Sequence, residues 1–213
     1  MKRVRILIAD DHRIVSDGLK KILEPEFEVV ASVGDGRSLV TTALELRPDV
    51  VLTDVTMPVL SGLDAGRELK KLMPNVKLIF LTMNRTPEIA RDGLRIGAAG
   101  YLLKSSHGEE LLMAIRAALR GVSYVSPQIR EALDEMFIRD PNFLDAPNHL
   151  SNREREVLQL LAEGRPMQGV ASALLISPRT VKFHKHQIMD KLGFTTNSEL
   201  IQYAIKHGML VPL

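Results

Sequence analysis

The chain has 213 residues, room for two small domains or one large one, and its 45% hydrophobic and 25% charged content is that of a globular protein. It has no cysteine, which excludes a disulfide frame and a thiolate zinc site. No apolar run nears the ~18 residues of a membrane span, and Met1-Lys2-Arg3-Val4-Arg5 leads into a strand-like run rather than a signal-peptide core, so a cytoplasmic protein is expected. The net charge is only +2 but unevenly spread: residues 148–213 hold 8 Lys and Arg against 5 Asp and Glu, and 122–147 hold 2 against 5. A mildly basic tail hints at a polyanion partner.

The first element is a strand, Val4 to Ala9, ending in Asp10-Asp11. A helix with Ile14, Leu19, Ile22 and Leu23 follows and stops at Pro25. Phe27 to Val33 reads as a second strand, and a helix carrying Leu39, Ala43, Leu44 and Leu46 closes at Pro48. Val50 to Thr53 is a short β-branched and aliphatic run that ends in Asp54; Met57-Pro58 and Gly62 then force a turn. Leu63 to Leu72 is a third helix and Val76 to Thr82 a fourth strand. Glu88 to Ile96 is a helix, Gly100 to Leu103 a fifth strand ending at Lys104, and Glu109 to Leu119 a fifth helix. Strict alternation of strand and helix predicts an α/β fold, a doubly wound five-stranded parallel sheet of the flavodoxin-like kind.

Open sheets of this type bind ligands at the carboxyl ends of their strands, so Asp10, Asp11, Asp54, Thr82 and Lys104 should converge there. Taken alone, Asp54 reads more readily as a strand-end residue that caps the next turn; the rest of the chain reverses that. No Gly-x-Gly-x-x-Gly opens a helix and no Gly-Lys-Ser/Thr loop is present, which argues against a nucleotide. Three carboxylates together instead suit a hard divalent cation, most simply Mg²⁺. Asp54 can then act as a nucleophile toward phosphorus, with Lys104 as a point positive charge and the Thr82 hydroxyl as a hydrogen-bond donor.

On Asp10-Asp11, Asp54 with Met57-Pro58 and Gly62, Thr82, and Gly100-Tyr101-Leu102-Leu103-Lys104, residues 1–121 resemble a receiver domain of two-component response regulators. The resemblance implies that Asp54 is the phosphoacceptor and that Asp10, Asp11, Asp54 and the Thr56 carbonyl bind Mg²⁺. It also implies that Thr82 and Tyr101 form a switch pair. Met83 departs from the smaller residue many receivers keep after that threonine.

Residues 122–147 read as a linker. Ser126-Pro127 opens a short amphipathic helix carrying Ile129, Leu133, Met136 and Phe137, and a loose loop follows. The rest is all helical. Ser151-Asn152-Arg153-Glu154 is a capping box for a helix to Ala162. Pro166 opens a second helix with Val170, Ala171, Leu174 and Leu175 apolar, and Gly169 inside it is a weak point bordering the core. Ser177-Pro178 opens a third, Arg179 to Leu192, and Asn197 a fourth. A short helix, a tight turn and a longer helix make a helix-turn-helix. On the third helix Val181, Ile188 and Leu192 form a core stripe, Lys182, Phe183 and His186 lie on an offset face, and Arg179, Lys185 and Lys191 flank it. That face suits the major groove, with Phe183 against a thymine methyl. His184 and His186, two apart, point away from each other and suggest no metal.

Residues 148–213 resemble the four-helix DNA-binding domain of the LuxR/NarL/FixJ type, on Leu150-Ser151-x-Arg153-Glu154-x-Glu156-Val157-Leu158, Ile176-Ser177-x-x-Thr180-Val181-Lys182-x-His184 and Ile188-x-x-Lys191-Leu192-Gly193. Met167-Gln168-Gly169-Val170-Ala171 replaces the family's usual Asn-Lys-Glu-Ile-Ala, and Asn197 stands where an Arg is common. The resemblance implies a transcription regulator switched by phosphorylation of Asp54, with a sensor histidine kinase as donor and double-stranded operator DNA as target. It further implies a homodimer on two half-sites, with Arg179, Thr180, Lys182, Phe183, Lys185, His186 and Lys191 at the DNA. A regulator that binds DNA without the phosphoryl switch is the alternative. An aspartyl-phosphate phosphatase would need a general-acid carboxylate at position 56, where Thr stands, so no enzyme is expected.

Overall fold

Short runs rich in Val, Ile and Leu build a parallel sheet in the computed structural model, which describes residues 3–83, 85–140 and 150–210. The chain divides into two units, Met1–Leu144 and Asp145–Leu213. In the first, β1 (Arg5–Ala9), β2 (Glu28–Val33), β3 (Val50–Asp54), β4 (Lys77–Thr82), β5 (Gly100–Leu103) and β6 (Tyr124–Val125) pair in the order β2-β1-β3-β4-β5-β6, all parallel. Between them run α1 (Arg13–Leu23), α2 (Gly36–Leu46), α3 (Gly62–Leu72), α4 (Pro87–Arg95), α5 (Gly108–Leu119) and, after β6, α6 (Pro127–Arg139).

The period-2 alternation of the strands sorts the core into two layers. Ile6, Ile8, Val50, Leu52, Ile79, Leu81 and Leu102 face one side, with Leu23 of α1 and Leu111 and Ile115 of α5. Leu7, Ala9, Val51, Leu78, Phe80, Tyr101 and Leu103 face the other, against α2, α3 and α4. The register sets Ala9 beside Thr53, Asp54 beside Leu81 and Thr82 beside Leu103, so the carboxyl ends of the strands lie level.

The sheet has a sixth strand where five were expected. Tyr124 and Val125 pair with Gly100 and Tyr101, and Ile129 of α6 is fully buried in the α2–α3–α4 layer. Residues 124–139, read from sequence as part of a linker, are thus an element of the first unit; the expected loop beyond lies mostly outside the described residues.

The second unit comprises α7 (Asn152–Ala162), α8 (Met167–Leu174), α9 (Pro178–Leu192) and α10 (Asn197–Lys206) around Val157, Leu158, Leu160, Val170, Val181, Ile188, Leu200 and Ala204. Ser151 and Glu154 close the expected capping box, and Thr196 and Glu199 close another at α10. The turn between α8 and α9 is made by Leu175 at φ 54°, a left-handed conformation, with its side chain 92% exposed. Gly169 lies inside α8, and a methyl there would meet nothing nearer than Pro166 Cδ at 3.5 Å, an ordinary contact.

Candidate functional site

The carboxyl ends of β1, β3 and β5 bring Asp10, Asp54 and Lys104 together. Lys104 Nζ lies 2.7 Å from Asp54 Oδ2 and 2.8 Å from Asp10 Oδ2. The first contact is also a hydrogen bond; the second is an ion pair without hydrogen-bond alignment, which leaves Asp10 Oδ2 buried with no aligned donor. The Thr56 N–H donates to Asp54 Oδ1 at 3.3 Å, which places the Thr56 main chain against the carboxylate. Asp11 is exposed at the rim, with His12 Nδ1 2.8 Å from its Oδ1. Carboxylate oxygens of Asp10, Asp11 and Asp54 and a ring nitrogen of His12 all lie within 4.8 Å of one another.

The loop after β3 is shaped to hold this edge. The Leu60 N–H donates to the Pro58 carbonyl at 2.8 Å around Val59, whose φ is 70°. That is a γ-turn of the strained hand, on a β-branched residue. The Gly62 N–H then returns to the Val55 carbonyl at 2.8 Å. A Cβ on Gly62 would lie 1.7 Å from the Asp54 carbonyl oxygen, so only glycine fits.

Burial raises the Asp54 carboxyl to about 6; the Lys104 charge and hydrogen bond oppose this, and the Asp10 charge adds to it. Burial alone would lower the Lys104 ammonium, but Asp54 and Asp10 hold it above its ordinary value. One ammonium thus serves two buried carboxylates, with a third at the rim. The excess negative charge fits a hard, oxygen-binding dication.

Thr82 sits one residue beyond Leu81, the register partner of Asp54. Its hydroxyl neighbours Tyr101, whose ring is fully buried against Phe80 with centroids 6.0 Å apart. A Cβ on Gly93 of α4 would lie 2.8 Å from that ring. Burial pushes the phenol up and Thr82 works against this, yet the phenol oxygen has no aligned hydrogen bond. Met83, next in the chain, is exposed.

Two groups beside this edge went unread in the sequence. His12 follows the acidic pair directly, and that adjacency was the available signal. Ser126 was read as a helix cap, but its buried hydroxyl makes no cap bond: it donates to Glu110 Oε1 at 2.5 Å and lies 3.3 Å from Ser106 Oγ, in the loop that follows Lys104.

On α9, Val181 and Ile188 are buried as expected, and Leu192 packs against their cluster. Arg179, Lys182, Phe183 and His186 are exposed, Phe183 at 56%, while Thr180 and Lys185 are half-buried. The Ser177 hydroxyl caps the helix by accepting from the Thr180 N–H. Lys191 is exposed but paired within the fold. Its Nζ lies 2.7 and 2.8 Å from the two oxygens of buried Glu154, which ties α9 to α7. Burial acts to raise Glu154, but Lys191 and the Ser151 capping bonds outweigh it and hold the carboxyl low. Arg153 donates to the Leu174 carbonyl at 2.7 Å and fixes the end of α8.

A flavodoxin-like sheet with acids and one lysine at its carboxyl edge, followed by a helix-turn-helix, defines a two-domain response regulator. Residues 6–116 match the response regulator receiver domain and residues 148–204 match the bacterial regulatory proteins of the luxR family, and the chain belongs to the response regulators that join these two domains. It is a DNA-binding transcription regulator of the two-component class and not an enzyme. The chain is 38% identical to the oxygen regulatory protein NreC of Staphylococcus aureus, over 97% of this chain and 99% of that protein. It is similar in structure to the response regulator RcsB of Salmonella typhimurium, with a TM-score of 0.66, 29% identity and coverage of 99% and 100% of the two chains. RcsB in a structure of two dimers bound to two parallel DNAs matches with a TM-score of 0.61 at 29% identity, over 96% and 99%. Among the described residues no helix is long and apolar enough to cross a membrane.

Proposed function

We propose that Asp54 accepts a phosphoryl group from a partner histidine kinase, and that the phosphorylated chain binds a two-half-site operator as a homodimer. The observation that carries this reading is the placement of Asp54: buried at the end of the central strand, 2.7 Å from Lys104 Nζ and grouped with Asp10 and Asp11. An Asp54 oxygen forms a bond to phosphorus as the phosphorus–nitrogen bond of the donor phosphohistidine breaks, and the imidazole leaves with a proton. Lys104 exchanges its contact with the carboxylate for one with the phosphoryl oxygens, and the Thr82 hydroxyl donates to a second oxygen. Asp10, Asp11, the Asp54 carboxylate and the Thr56 carbonyl would hold Mg²⁺. When bound, that ion supplies the positive charge that lets an anionic donor approach three carboxylates. Thr82 turning from its place beside Tyr101 to the phosphoryl group is the switch step, since no aligned hydrogen bond holds the phenol.

In the second unit, Lys182, Phe183 and His186 are the residues proposed to face base edges. Arg179, Thr180 and Lys185 lie alongside for the backbone. Two-fold symmetry of a homodimer suits an inverted repeat.

Intact-mass measurement after incubation with a small phosphoryl donor and Mg²⁺ tests the site. The wild type should gain one phosphoryl group and Asp54→Ala none. A gain that survives in the variant, or in excess chelator, defeats the assignment or the cation role respectively.

A further inference from the structure

We propose that His12 is a ligand of the cation site and that its imidazole gives this edge a preference for ions such as Co²⁺ over Mg²⁺. The inference rests on the cation reading of Asp10, Asp11 and Asp54 and adds a nitrogen donor to that oxygen set. His12 is the N-cap residue of α1, with φ −92° and ψ 100°, yet its side chain makes no capping bond to the helix. The ring turns back over the acidic edge instead, with Nδ1 2.8 Å from Asp11 Oδ1 and 3.3 Å from Asp10 Oδ1.

Those separations have a chemical meaning. Adjacent donors on one octahedral ion, with bonds of about 2.1 Å, stand about 3 Å apart. The His12 nitrogen therefore sits at ligand spacing from two carboxylates, and within 4.8 Å of the Asp54 oxygen that completes the group. The His12 main-chain N–H donates to Asp10 Oδ1 at 2.9 Å, which holds that carboxylate beside the residue that bears the ring. The ring is 61% exposed, so nothing prevents the few tenths of an ångström of adjustment that ligation needs. On the opposite, buried side, Asp10 Oδ2 faces Lys104 Nζ at 2.8 Å.

Carboxylate and carbonyl oxygens suit Mg²⁺, whereas imidazole adds affinity for first-row transition ions. A site of oxygens alone ranks ions by the oxygens; one that includes His12 adds a nitrogen bond that Mg²⁺ gains little from. The edge then takes Mg²⁺ at ordinary concentrations and binds a transition ion more tightly when one is present.

Calorimetric titrations of the full chain with Co²⁺ and with Mg²⁺ test this, using wild type, His12→Ala, His12→Gln and Asp54→Ala. Both His12 variants should weaken Co²⁺ binding by about tenfold or more and change Mg²⁺ binding far less. Proton NMR of the Co²⁺ form should show a hyperfine-shifted imidazole N–H resonance that both variants lose. Asp54→Ala should weaken both ions, which locates the binding at this edge despite the other histidines. If Asp54→Ala leaves both ions bound as in wild type, the cation reading itself fails. If Asp54→Ala weakens both but the His12 variants weaken Co²⁺ and Mg²⁺ alike, or keep the shifted resonance, the His12 proposal is overturned and the ring is only a hydrogen-bond partner of Asp11.

Discussion

Two lysines close on buried carboxylates; burial pushes both carboxyls up, but it prevails at one site and is outweighed at the other. Lys104 serves both Asp54 and Asp10, and burial lifts Asp54 to about 6. Lys191 serves Glu154 alone, which also receives the Ser151 N–H at 2.7 Å, and that carboxyl is held low. Both are lysine–carboxylate pairs; what differs is the number of donors per buried charge. The first edge is short of positive charge, which disposes it to take up a dication or a phosphoryl group with its cation. The second is fully matched, and it serves to hold two helices together.

The largest expected effect tests the shortage at the first edge. In chelator near neutral pH, Asp54→Asn should stabilise the first unit by about 2–3 kcal/mol, because it removes a carboxylate that burial disfavours. The folded carboxyl titrates at about 6 against 3.8 for an ordinary Asp, so the folded state binds that proton more tightly. Wild-type stability should therefore fall as pH rises through this window, and the Asn advantage should vanish toward pH ~4. Urea melts read through amide exchange of β3 and β4 measure this; a gain that does not change with pH would show that burial is not the cause.

Lys191→Ala tests the matched pair. It strands buried Glu154 and should cost the second unit about 2–3 kcal/mol, below the full penalty of an enclosed pair because the Lys191 side chain is 43% exposed. The salt dependence of DNA binding should stay unchanged, since this lysine is occupied within the fold. A salt slope reduced by about one unit, with stability intact, would return Lys191 to the DNA. Lys182→Ala, on the exposed face, should instead remove about 1–3 kcal/mol of discrimination between operator and random DNA and leave the melt alone.

Smaller effects separate a backbone constrained by function from one that is merely tolerated. Leu175 adopts φ 54° with its side chain in solvent, so Leu175→Gly should add about 0.5–1 kcal/mol to the second unit in denaturant melts. A loss would mean the leucine makes a contact in solution. Gly169→Ala should add up to ~1 kcal/mol with DNA affinity kept, because the methyl meets only ordinary contacts. Weakened binding at unchanged stability would mark position 169 as a close approach to DNA.

The sheet was legible because its strands are short, apolar and stopped by charged or turn-forming residues, and because βαβ alternation admits few topologies. The convergence of Asp10, Asp54 and Lys104 was legible for the same reason. Tyr124-Val125 is too short to show a period, so β6 was invisible, although Ile129 and Leu133 at i, i+4 already marked α6 as having a core-facing side. Thr196-x-x-Glu199 is a capping box that was there to be read at α10. The pairing of Lys191 with Glu154 was not legible, because the two lie 37 residues apart on different helices and the lysine is itself exposed. The role of Glu154 could not be divided by sequence, since the capping signature gives no sign of a second partner 37 residues on.

The short β6 has a practical consequence for anyone dividing the chain. A fragment ending at residue 121 would lose the strand that hems β5 and the Ile129 side chain that fills the layer beneath α4. The Gly100-Tyr101 stretch would then present open N–H and C=O groups, the kind of template on which identical fragments stack edge to edge. A fragment carried through Arg139 keeps that margin closed, and it should remain dispersed at concentrations where the shorter one precipitates.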